Sequence, residues 1–407
     1  MEILFLGYAI NKEMMSKLGI VSAAGSKMQL NILKELNMLA DELKIITICP
    51  MAPFPKMKNI IIKRKEIVLD AQIKANQIPF INVPIIKQVT QILSVWAEGR
   101  KYLKQHKDAV IFTFNMYPQV GVPAVLWKKR HRNKLISLLA DLPIDDNYQR
   151  RGISRMFRTG FDNSTRKNIK ECDKVIVLNE YAALQFAPEI PYMVMEGGIE
   201  PEVEYVGTQV ERESQMKCME IKSTGEMESR NSKEKVIVYG GSLAEYSGVK
   251  QLIEAMKYVK NKDILLKIYG SGTLKDSIEH LERQNIIYCG TVSNDKMLQI
   301  QRSAWLLVNP RPIDDPIAMV TFPSKIFEYM ASGTPVLSTR LNGFTQEYGD
   351  KLFFSENNKP QTLGKKINEI EHIDERKLLE MAQKASAFVL KEKNWTRQTR
   401  KIYDFLK

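Results

Sequence analysis

The chain has 407 residues, of which 44% are hydrophobic and 26% are charged, and its formal net charge is +13. This composition predicts two or three folded domains and excludes a mostly disordered chain, because enough apolar surface is available for burial. It also excludes a membrane-spanning helix, since no apolar run reaches about 18 residues, and the four dispersed cysteines predict a protein of the reducing cytoplasm.

Residues 1–200 alternate short apolar runs with helical patterns, which predicts an N-terminal domain around a parallel sheet. A loop with Gly19 and Gly25 separates the first strand from a helix predicted over residues 27–43, in which apolar residues recur near the helical period. The predicted strands of this half are residues 3–6, 43–49, 109–114, 135–140, 174–178 and 192–196.

Residues 201–234 are polar, rich in charge and almost without periodicity, which indicates an interdomain connection. The alternation then restarts and predicts a second domain over residues 235–390, followed by a closing segment, 391–407, that is mostly helical. Both domains are expected to be α/β units with doubly wound parallel sheets. The predicted strands of the second domain are residues 236–239, 265–269, 286–288, 305–309, 336–338 and 352–354.

Glycine loops follow the first two strands of the second predicted domain. Gly241 and Ser242 follow one strand, and Gly270, Ser271 and Gly272 follow the next. Ligands of open parallel sheets bind beyond the carboxyl ends of the strands, and glycine lets backbone amides approach an anion closely. A glycine at a strand-to-helix turn is also a common structural feature, so each loop alone is weak evidence for a binding site.

The most informative segment is residues 309–338. Pro323 suits the first position of a helix because its missing N–H would have no partner there, and Gly333 suits a left-handed C-terminal cap. Within this predicted helix, Ser324 and Glu328 lie one turn apart and share a face. The alternative interpretation is a well-capped core helix with incidental surface charge.

The start of this predicted helix has the polar groups of an anion site. Amides without helical partners at a helix start attract anions, and Ser324 and Lys325 add a hydroxyl group and a positive charge. Arg311, on the preceding loop, supplies a second cation suited to a diphosphate. Glu328 is placed to accept hydrogen bonds from the two hydroxyls of a vicinal diol such as a ribose.

Residues 322–337, FPSKIFEYMASGTPVL, resemble the donor-binding signature of retaining glycosyltransferase family 4, in the branch that builds bacterial capsular and exopolysaccharide chains. The resemblance is specific over residues 236–340 and looser over the N-terminal half. It implies a GT-B fold, in which two Rossmann-like domains face each other across a cleft and a closing helix within residues 391–407 crosses back to the N-terminal domain. It also implies cofactor-free and metal-independent transfer, with retention, from a UDP-sugar or similar donor to a glycan or polyprenyl-diphosphate-linked acceptor.

The resemblance gives expected roles to individual residues. Glu328 would hold the ribose, and Pro323, Ser324 and Lys325 would line the diphosphate, where cations stabilise charge on the leaving group. Gly25 would approach the sugar or phosphate from the first domain. The other expected donor-binding residues are Gly241, Ser242, Gly270, Ser271, Gly272, Thr291, Val292 and Arg311.

Asp141 ends the predicted strand LISLLAD, near where this family often places a His or Asp that faces the sugar. We expect it to orient sugar or acceptor hydroxyls, with Lys325 and Glu328 as the other catalytic candidates. An Asp after a strand is also a common cap or turn residue, and Asp145 and Asp146 follow closely.

The sequence departs from the family pattern at two places. Val320 stands where the family often has the first of two acidic residues eight apart, and Ser242 and Ser247 stand where many members have Arg and Lys. These departures keep open a non-catalytic partner of the same fold that binds a glycosylated protein or a sister transferase. An epimerase lacks support because no set of acid and base groups is evident, and nucleic-acid binding ranks last because aromatic residues are not interleaved with the basic runs.

Basic residues cluster at 128–134 and at 150–170, where Arg151, Arg155 and Arg158 surround apolar residues at near-helical spacing. This pattern is typical of a contact with an anionic membrane surface and predicts a peripheral location on the inner face of the plasma membrane. A core-facing helix with a solvated basic side is the alternative.

Overall fold

The computed structural model describes residues 1–18, 23–144, 153–200, 235–281 and 283–407. Contacts divide the chain into two compact units. The first comprises Met1–Gly197, Val320–Phe322 and Trp395–Lys407, and the second comprises Gly198–Met319 and Pro323–Asn394. The predicted connection over residues 201–234 lies outside the described residues.

The strands of the first unit are short and mostly apolar. They are β1 (Glu2–Gly7), β2 (Glu42–Thr47), β3 (Ile61–Ile62), β4 (Lys65–Asp70), β5 (Ile73–Gln77), β6 (Phe80–Ile81), β7 (Val110–Phe114), β8 (Leu135–Leu139), β9 (Lys174–Val177) and β10 (Tyr192–Val194). Eight of them form one sheet in the order β10-β9-β8-β7-β1-β2-β5-β4, and β3 pairs with β6 separately. Only β4, antiparallel to β5, breaks the parallel pattern of this sheet among the described residues. The central strands of the sheet, β1, β7 and β8, are buried, which explains their continuous apolar sequences.

The first unit has six helices among its described residues before residue 200. They are α1 (Lys12–Leu18), α2 (Ala23–Leu39), α3 (Ile86–Leu103), α4 (Pro118–His131), α5 (Ile153–Lys170) and α6 (Glu180–Phe186). The helix predicted over residues 27–43 is α2, which ends earlier because β2 begins at Glu42 and pairs with β1. Gly25 therefore lies in the first turn of α2 and not in the preceding loop, which corrects our expectation.

The second unit is built on a six-stranded sheet in which every neighbouring pair is parallel. Its strands are β11 (Val236–Gly240), β12 (Leu265–Tyr269), β13 (Ile286–Tyr288), β14 (Leu306–Asn309), β15 (Val336–Thr339) and β16 (Phe353–Ser355). They lie in the order β13-β12-β11-β14-β15-β16. This is the Rossmann order, in which the first three strands extend the sheet towards one edge and the next three extend it towards the other. The change creates a switch point between β11 and β14.

The remaining helices follow β11 along the chain. They are α7 (Val249–Ala255), α8 (Lys275–Glu279), α9 (Asn294–Ser303), α10 (Pro316–Val320), α11 (Lys325–Ala331), α12 (Pro360–Glu371), α13 (Glu375–Glu392) and α14 (Trp395–Leu406). Helix α14 belongs to the first unit, where it packs against α2. None of the helices within the described ranges combines the length and the apolar character that crossing a bilayer requires.

Candidate functional site

The loops at the carboxyl ends of β11, β12 and β13 interlock through their backbones. The Gly241 N–H donates to the Tyr269 carbonyl at 2.9 Å, and the Gly270 N–H donates to the Gly290 carbonyl at 2.8 Å. These bonds hold three consecutive loops edge to edge beside the switch point of the sheet. The predicted glycine loops are therefore brought together, at the edge where parallel sheets bind ligands.

Two glycines of these loops are required by close protein contacts. A Cβ at Gly270, whose φ is +136°, would lie 1.8 Å from the Gly241 carbonyl oxygen. A Cβ at Gly241, whose φ is +153°, would lie 1.9 Å from Lys325 Nζ. Both positions have a backbone conformation that favours glycine. Gly270 is thus required by the close packing of two loops, and Gly241 by the close approach of Lys325.

Lys325 occupies the centre of this group. Its Nζ lies 4.6 Å from the centroid of the Tyr239 ring and 3.4 Å from the Tyr239 hydroxyl oxygen, to which it donates. The pKa of Lys325 is lowered to about 8, mainly by burial and also by the positive charge of Arg311, whereas the carboxylate of Glu328 opposes the shift. The ammonium group is therefore held in surroundings that disfavour its charge.

Arg311 is the second cation of the site. Burial lowers its pKa from the usual value, and the nearby carboxylate of Asp315 opposes that shift. Its Nε is buried and has no hydrogen-bond partner within the described ranges. Its carbonyl is fixed by the Thr339 hydroxyl, which donates to it at 2.5 Å. Lys325 and Arg311 are thus two enclosed cations near one another. An anion bound beside them would stabilise both positive charges.

Helix α11 presents Lys325 and Glu328 on consecutive turns, but it begins two residues later than predicted. The amides of Ile326 and Phe327 donate to the carbonyls of Pro323 and Ser324 at 2.9 and 3.2 Å. These two amides are therefore not open to an anion, which differs from the expected helix-start site. Ser324 is exposed and its side chain does not cap the helix.

Three tyrosines that sequence reasoning did not single out organise the site. The Gly240 N–H donates to the Tyr329 hydroxyl at 3.0 Å, and that hydroxyl lies 3.1 Å from the Gly240 carbonyl. Tyr239 donates to the Ser242 carbonyl at 2.7 Å, and Tyr246 donates to the Ser242 hydroxyl at 3.1 Å. Tyr329 thus fastens α11 to the end of β11, and Ser242 is held from both sides. Burial raises the pKa of Tyr239 to about 12, so its hydroxyl stays protonated.

The remaining predicted donor-binding residues of the second unit lie on the same edge. Thr291 and Val292 follow β13 and are exposed, as are Ser271 and Gly272 after β12. Val320, which replaces the first acidic residue of the family pattern, is buried. Gly333 has a φ of +67°, as predicted for a left-handed helix end.

Asp141 and Gly25 belong to the first unit. Asn115, which follows β7 with a φ of +63°, accepts hydrogen bonds through Oδ1 from the amides of Ala140 and Asp141 at 2.8 and 2.9 Å. Its Nδ2 lies 3.4 Å from Asp141 Oδ2. Desolvation raises the pKa of Asp141, whereas hydrogen bonds from Asn115 and Tyr117 lower it. Asn115 was not predicted, because nothing in its sequence context reveals a left-handed conformation.

The side chain of Gln29 links Gly25 to the loop that follows β1. The Gln29 Nε2 donates to the Gly25 carbonyl at 3.2 Å, and the Gln29 Oε1 accepts from the Tyr8 amide at 2.7 Å. The first turn of α2 is thereby tied to the loop after β1.

Part of the predicted basic membrane surface is engaged in ion pairs. Lys128 pairs with Asp173 at 2.7 Å, and Arg158 pairs with Asp162 at 2.9 Å. Arg155 is exposed. Residues 145–152, which include Asp145, Asp146, Arg150 and Arg151, lie outside the described residues.

One group of side chains in the described part of the chain has the spacing of metal ligands. His106 Nδ1 lies 3.0 Å from Glu2 Oε1 and 3.7 Å from Glu42 Oε2. The two glutamates are the first residues of β1 and β2, at the opposite edge of the sheet from Asp141. The group is therefore separate from the predicted sites.

Comparisons with known proteins bear on the fold of the chain. Residues 224–388 match the family described as "Glycosyl transferases group 1". HepE from Anabaena, solved in complex with UDP, is 16% identical with a TM-score of 0.65, over 100% of this chain and 99% of that chain. Sucrose-phosphate synthase from Thermosynechococcus elongatus is 12% identical with a TM-score of 0.66, over 100% and 98%.

A glycosyltransferase from Rickettsia africae is 16% identical with a TM-score of 0.64, over 100% of this chain and 98% of that chain. No curated protein sequence matches the chain. These structural likenesses confirm the predicted fold class. The chain has the GT-B fold of two Rossmann-like domains, and over residues 224–388 it matches the group 1 glycosyltransferases.

Proposed function

We propose that this protein is a retaining, metal-independent glycosyltransferase that moves a hexosyl group from a UDP-sugar to a glycan or a polyprenyl-diphosphate-linked acceptor. The observation that carries the proposal is the pair of enclosed cations, Lys325 and Arg311, beside the glycine loops at the switch point of a Rossmann sheet. HepE, solved with UDP and with UDP-glucose, supports uridine as the base.

In this proposal the donor diphosphate lies against Lys325 and Arg311. Charge grows on the β-phosphate as the bond to the sugar breaks, and preorganised cations stabilise that charge. No metal is needed for this role, because two side chains supply the positive charge. Glu328, one turn beyond Lys325, accepts hydrogen bonds from the ribose hydroxyls.

The acceptor hydroxyl attacks the sugar on the face from which the diphosphate leaves and passes its proton to the departing phosphate oxygen. Configuration is thereby retained without a carboxylate nucleophile. Asp141 orients sugar or acceptor hydroxyls, and Asn115 fixes its position. The expected setting is cell-surface polysaccharide synthesis, with the protein in the cytoplasm or peripheral on the inner face of the plasma membrane.

The second candidate is a non-catalytic partner of the same fold. It is favoured by Val320, a buried apolar residue where the family often has an acid, and by Ser247, whose hydroxyl donates to the Ala244 carbonyl at 2.6 Å. Neither Ser242 nor Ser247 supplies the cation that many family members carry on this loop. Such a partner would bind a glycosylated protein or a sister transferase.

The test is a thermal-shift panel of nucleoside diphosphates and nucleotide sugars, run with and without EDTA. A shift with uridine nucleotides that EDTA leaves unchanged supports the proposed donor site. A shift that EDTA abolishes contradicts metal independence. The absence of any shift, together with no hydrolysis of a UDP-sugar, would favour the non-catalytic partner.

A further inference from the structure

The first unit exposes a set of aliphatic side chains around β3 and β6. Ile61 of β3 lies directly opposite Ile81 of β6, and both are exposed, Ile61 to 70%. Branched aliphatic side chains on the outer side of a two-stranded sheet have no other strand to cover them. This pair is therefore the first part of an uncovered apolar surface.

Helix α3 extends this surface. Ile86, Val89 and Leu93, at the spacing of one helix face, are all exposed, whereas Val95 on another face is buried. The Ile81 amide donates to the hydroxyl of Thr90 at 3.2 Å, which joins β6 to α3. The sheet pair and the helix face are thus continuous. We call this surface, formed by Ile61, Ile81, Ile85, Ile86, Val89 and Leu93, the aliphatic face.

Ile85 is held outward by a strained turn. The Ile86 amide donates to the Pro84 carbonyl at 2.8 Å, and Ile85 between them has φ 69° and ψ −57°. These angles are those of a γ-turn that is rare and strained, and they are unfavourable for a β-branched residue. Strain of this kind concentrates where function requires it, and here it presents an apolar side chain to solvent at the start of α3.

Basic residues outnumber acidic ones around the aliphatic face. Residues 51–98 contain seven Lys and Arg and three acidic residues, and all three acids are paired, Glu66 with Lys74 at 2.9 Å, Asp70 with Lys34 at 2.7 Å and Glu98 with Arg64 at 2.7 Å. In the same stretch the exposed residues Lys56, Lys58 and Lys63 have no ion pair within the described part of the chain. The surroundings are therefore complementary to a negatively charged partner.

We propose that the aliphatic face docks the protein onto an anionic lipid bilayer. Aliphatic side chains enter the boundary between headgroups and acyl chains, and the lysines remain among the anionic headgroups. A bilayer fits better than an acidic protein, because a surface made mainly of Ile, Val and Leu has few groups with which to orient a specific polar partner. The inference does not depend on the donor site and differs from the predicted contact at residues 128–134 and 150–170.

The experiment is cosedimentation of the full chain with vesicles of equal parts phosphatidylglycerol and phosphatidylcholine. The double variant Val89→Ser/Leu93→Ser should lower the vesicle partition coefficient about tenfold or more, because two side chains that enter the bilayer lose their apolar groups. The control Leu126→Ser/Leu184→Ser, which removes two equally exposed leucines on α4 and α6, should partition like the wild type. Replacement of Lys56, Lys58 and Lys63 by Gln should weaken binding most at low ionic strength.

Thermal midpoints of every variant are measured with and without UDP. The midpoint without UDP reports correct folding, and the shift with UDP separates this proposal from the proposed function. Loss of vesicle binding with unchanged response to UDP supports the aliphatic face, and a wild type that binds vesicles without responding to UDP refutes only the donor site. Vesicle binding that survives Val89→Ser/Leu93→Ser, or that is equal on pure phosphatidylcholine, would overturn the proposal. So would concentration-dependent self-association that the double variant abolishes, since the face would then bind a second copy of the chain.

Discussion

Replacement of Lys325 by Met should move stability and ligand binding in opposite directions. The pKa of this lysine is lowered from 10.5 to about 8, which corresponds to on the order of 3 kcal/mol of unfavourable surroundings for the ammonium group, partly offset by its contact with the Tyr239 ring. Without ligand, Lys325→Met should therefore be at least as stable as the wild type at pH 7. Its affinity for UDP should fall about 10- to 100-fold, because a hydrogen bond to a charged group is lost.

The pH dependence follows from the direction of the shift. Between about pH 8 and pH 10.5 the unfolded chain binds more protons at this lysine than the folded protein does. The stability of the wild type should therefore rise relative to Lys325→Met across that range. Urea denaturation at several pH values measures the difference.

Proton uptake gives a second readout on the same residue. At pH 8 about half of the Lys325 side chains are neutral, so binding of a diphosphate should draw in about half a proton. Calorimetric titration with UDP in two buffers of different ionisation enthalpy measures this number. The matched control is Lys296→Met, which removes an exposed lysine on α9.

The reasoning would be refuted if Lys325→Met were clearly destabilised at pH 7 while it bound UDP like the wild type. In that case the lysine would be a structural contact of Tyr239 and Gly241 and not a ligand group. Proton uptake at pH 8 that persisted in Lys325→Met would equally assign the titration to another residue.

Three further predictions concern the two units. Glu328→Gln should weaken UDP binding about tenfold and increase proton uptake at pH 8 in the same calorimetric titration, because the carboxylate supports the charge of Lys325; a collapse of the thermal midpoint would favour the core-helix interpretation. Asp141→Asn should lower kcat about 100-fold or more at unchanged UDP affinity, and wild-type activity should fall with decreasing pH through the raised pKa of this carboxyl; an equal loss of UDP affinity in calorimetry would contradict this role. Tyr329→Phe should lower the free energy of unfolding in urea by about 1–3 kcal/mol, because the Gly240 N–H loses its acceptor; an unchanged value would show that this bond does not hold α11.

The strands of the second unit could be predicted well because their burial leaves a direct trace in the sequence. The predicted ranges 265–269 and 286–288 coincide with β12 and β13. In contrast, β3 and β6 have two residues each, which is too short to show an alternation of apolar and polar residues. Helix α3 exposes several aliphatic side chains, so its sequence does not separate a buried face from an exposed one. Helix α2 ends before residue 43, its predicted end, because the residues from Glu42 onward pair with β1. Helix propensity alone would have left Glu42 and Leu43 in the helix.

The charged residues of the site could be predicted from the sequence, whereas the tyrosines that position them could not. Lys325 and Arg311 could be identified as cations beside a glycine-rich edge, and the structure brings them together. Tyr239, in contrast, ends an apolar strand and is indistinguishable in sequence from a core residue. Tyr329 likewise reads as part of the buried face of α11, although its hydroxyl fixes Gly240.

In the proposed donor site, the interlocked glycine loops limit where substrate preference can change by mutation. A side chain at Gly241 or Gly270 would collide with Lys325 or with the neighbouring loop, so these positions are closed to adaptive substitution. Thr291 and Val292, exposed on the same edge, have no such restriction. Laboratory evolution of altered donor choice should therefore accumulate changes at Thr291 and Val292 and leave the glycines untouched.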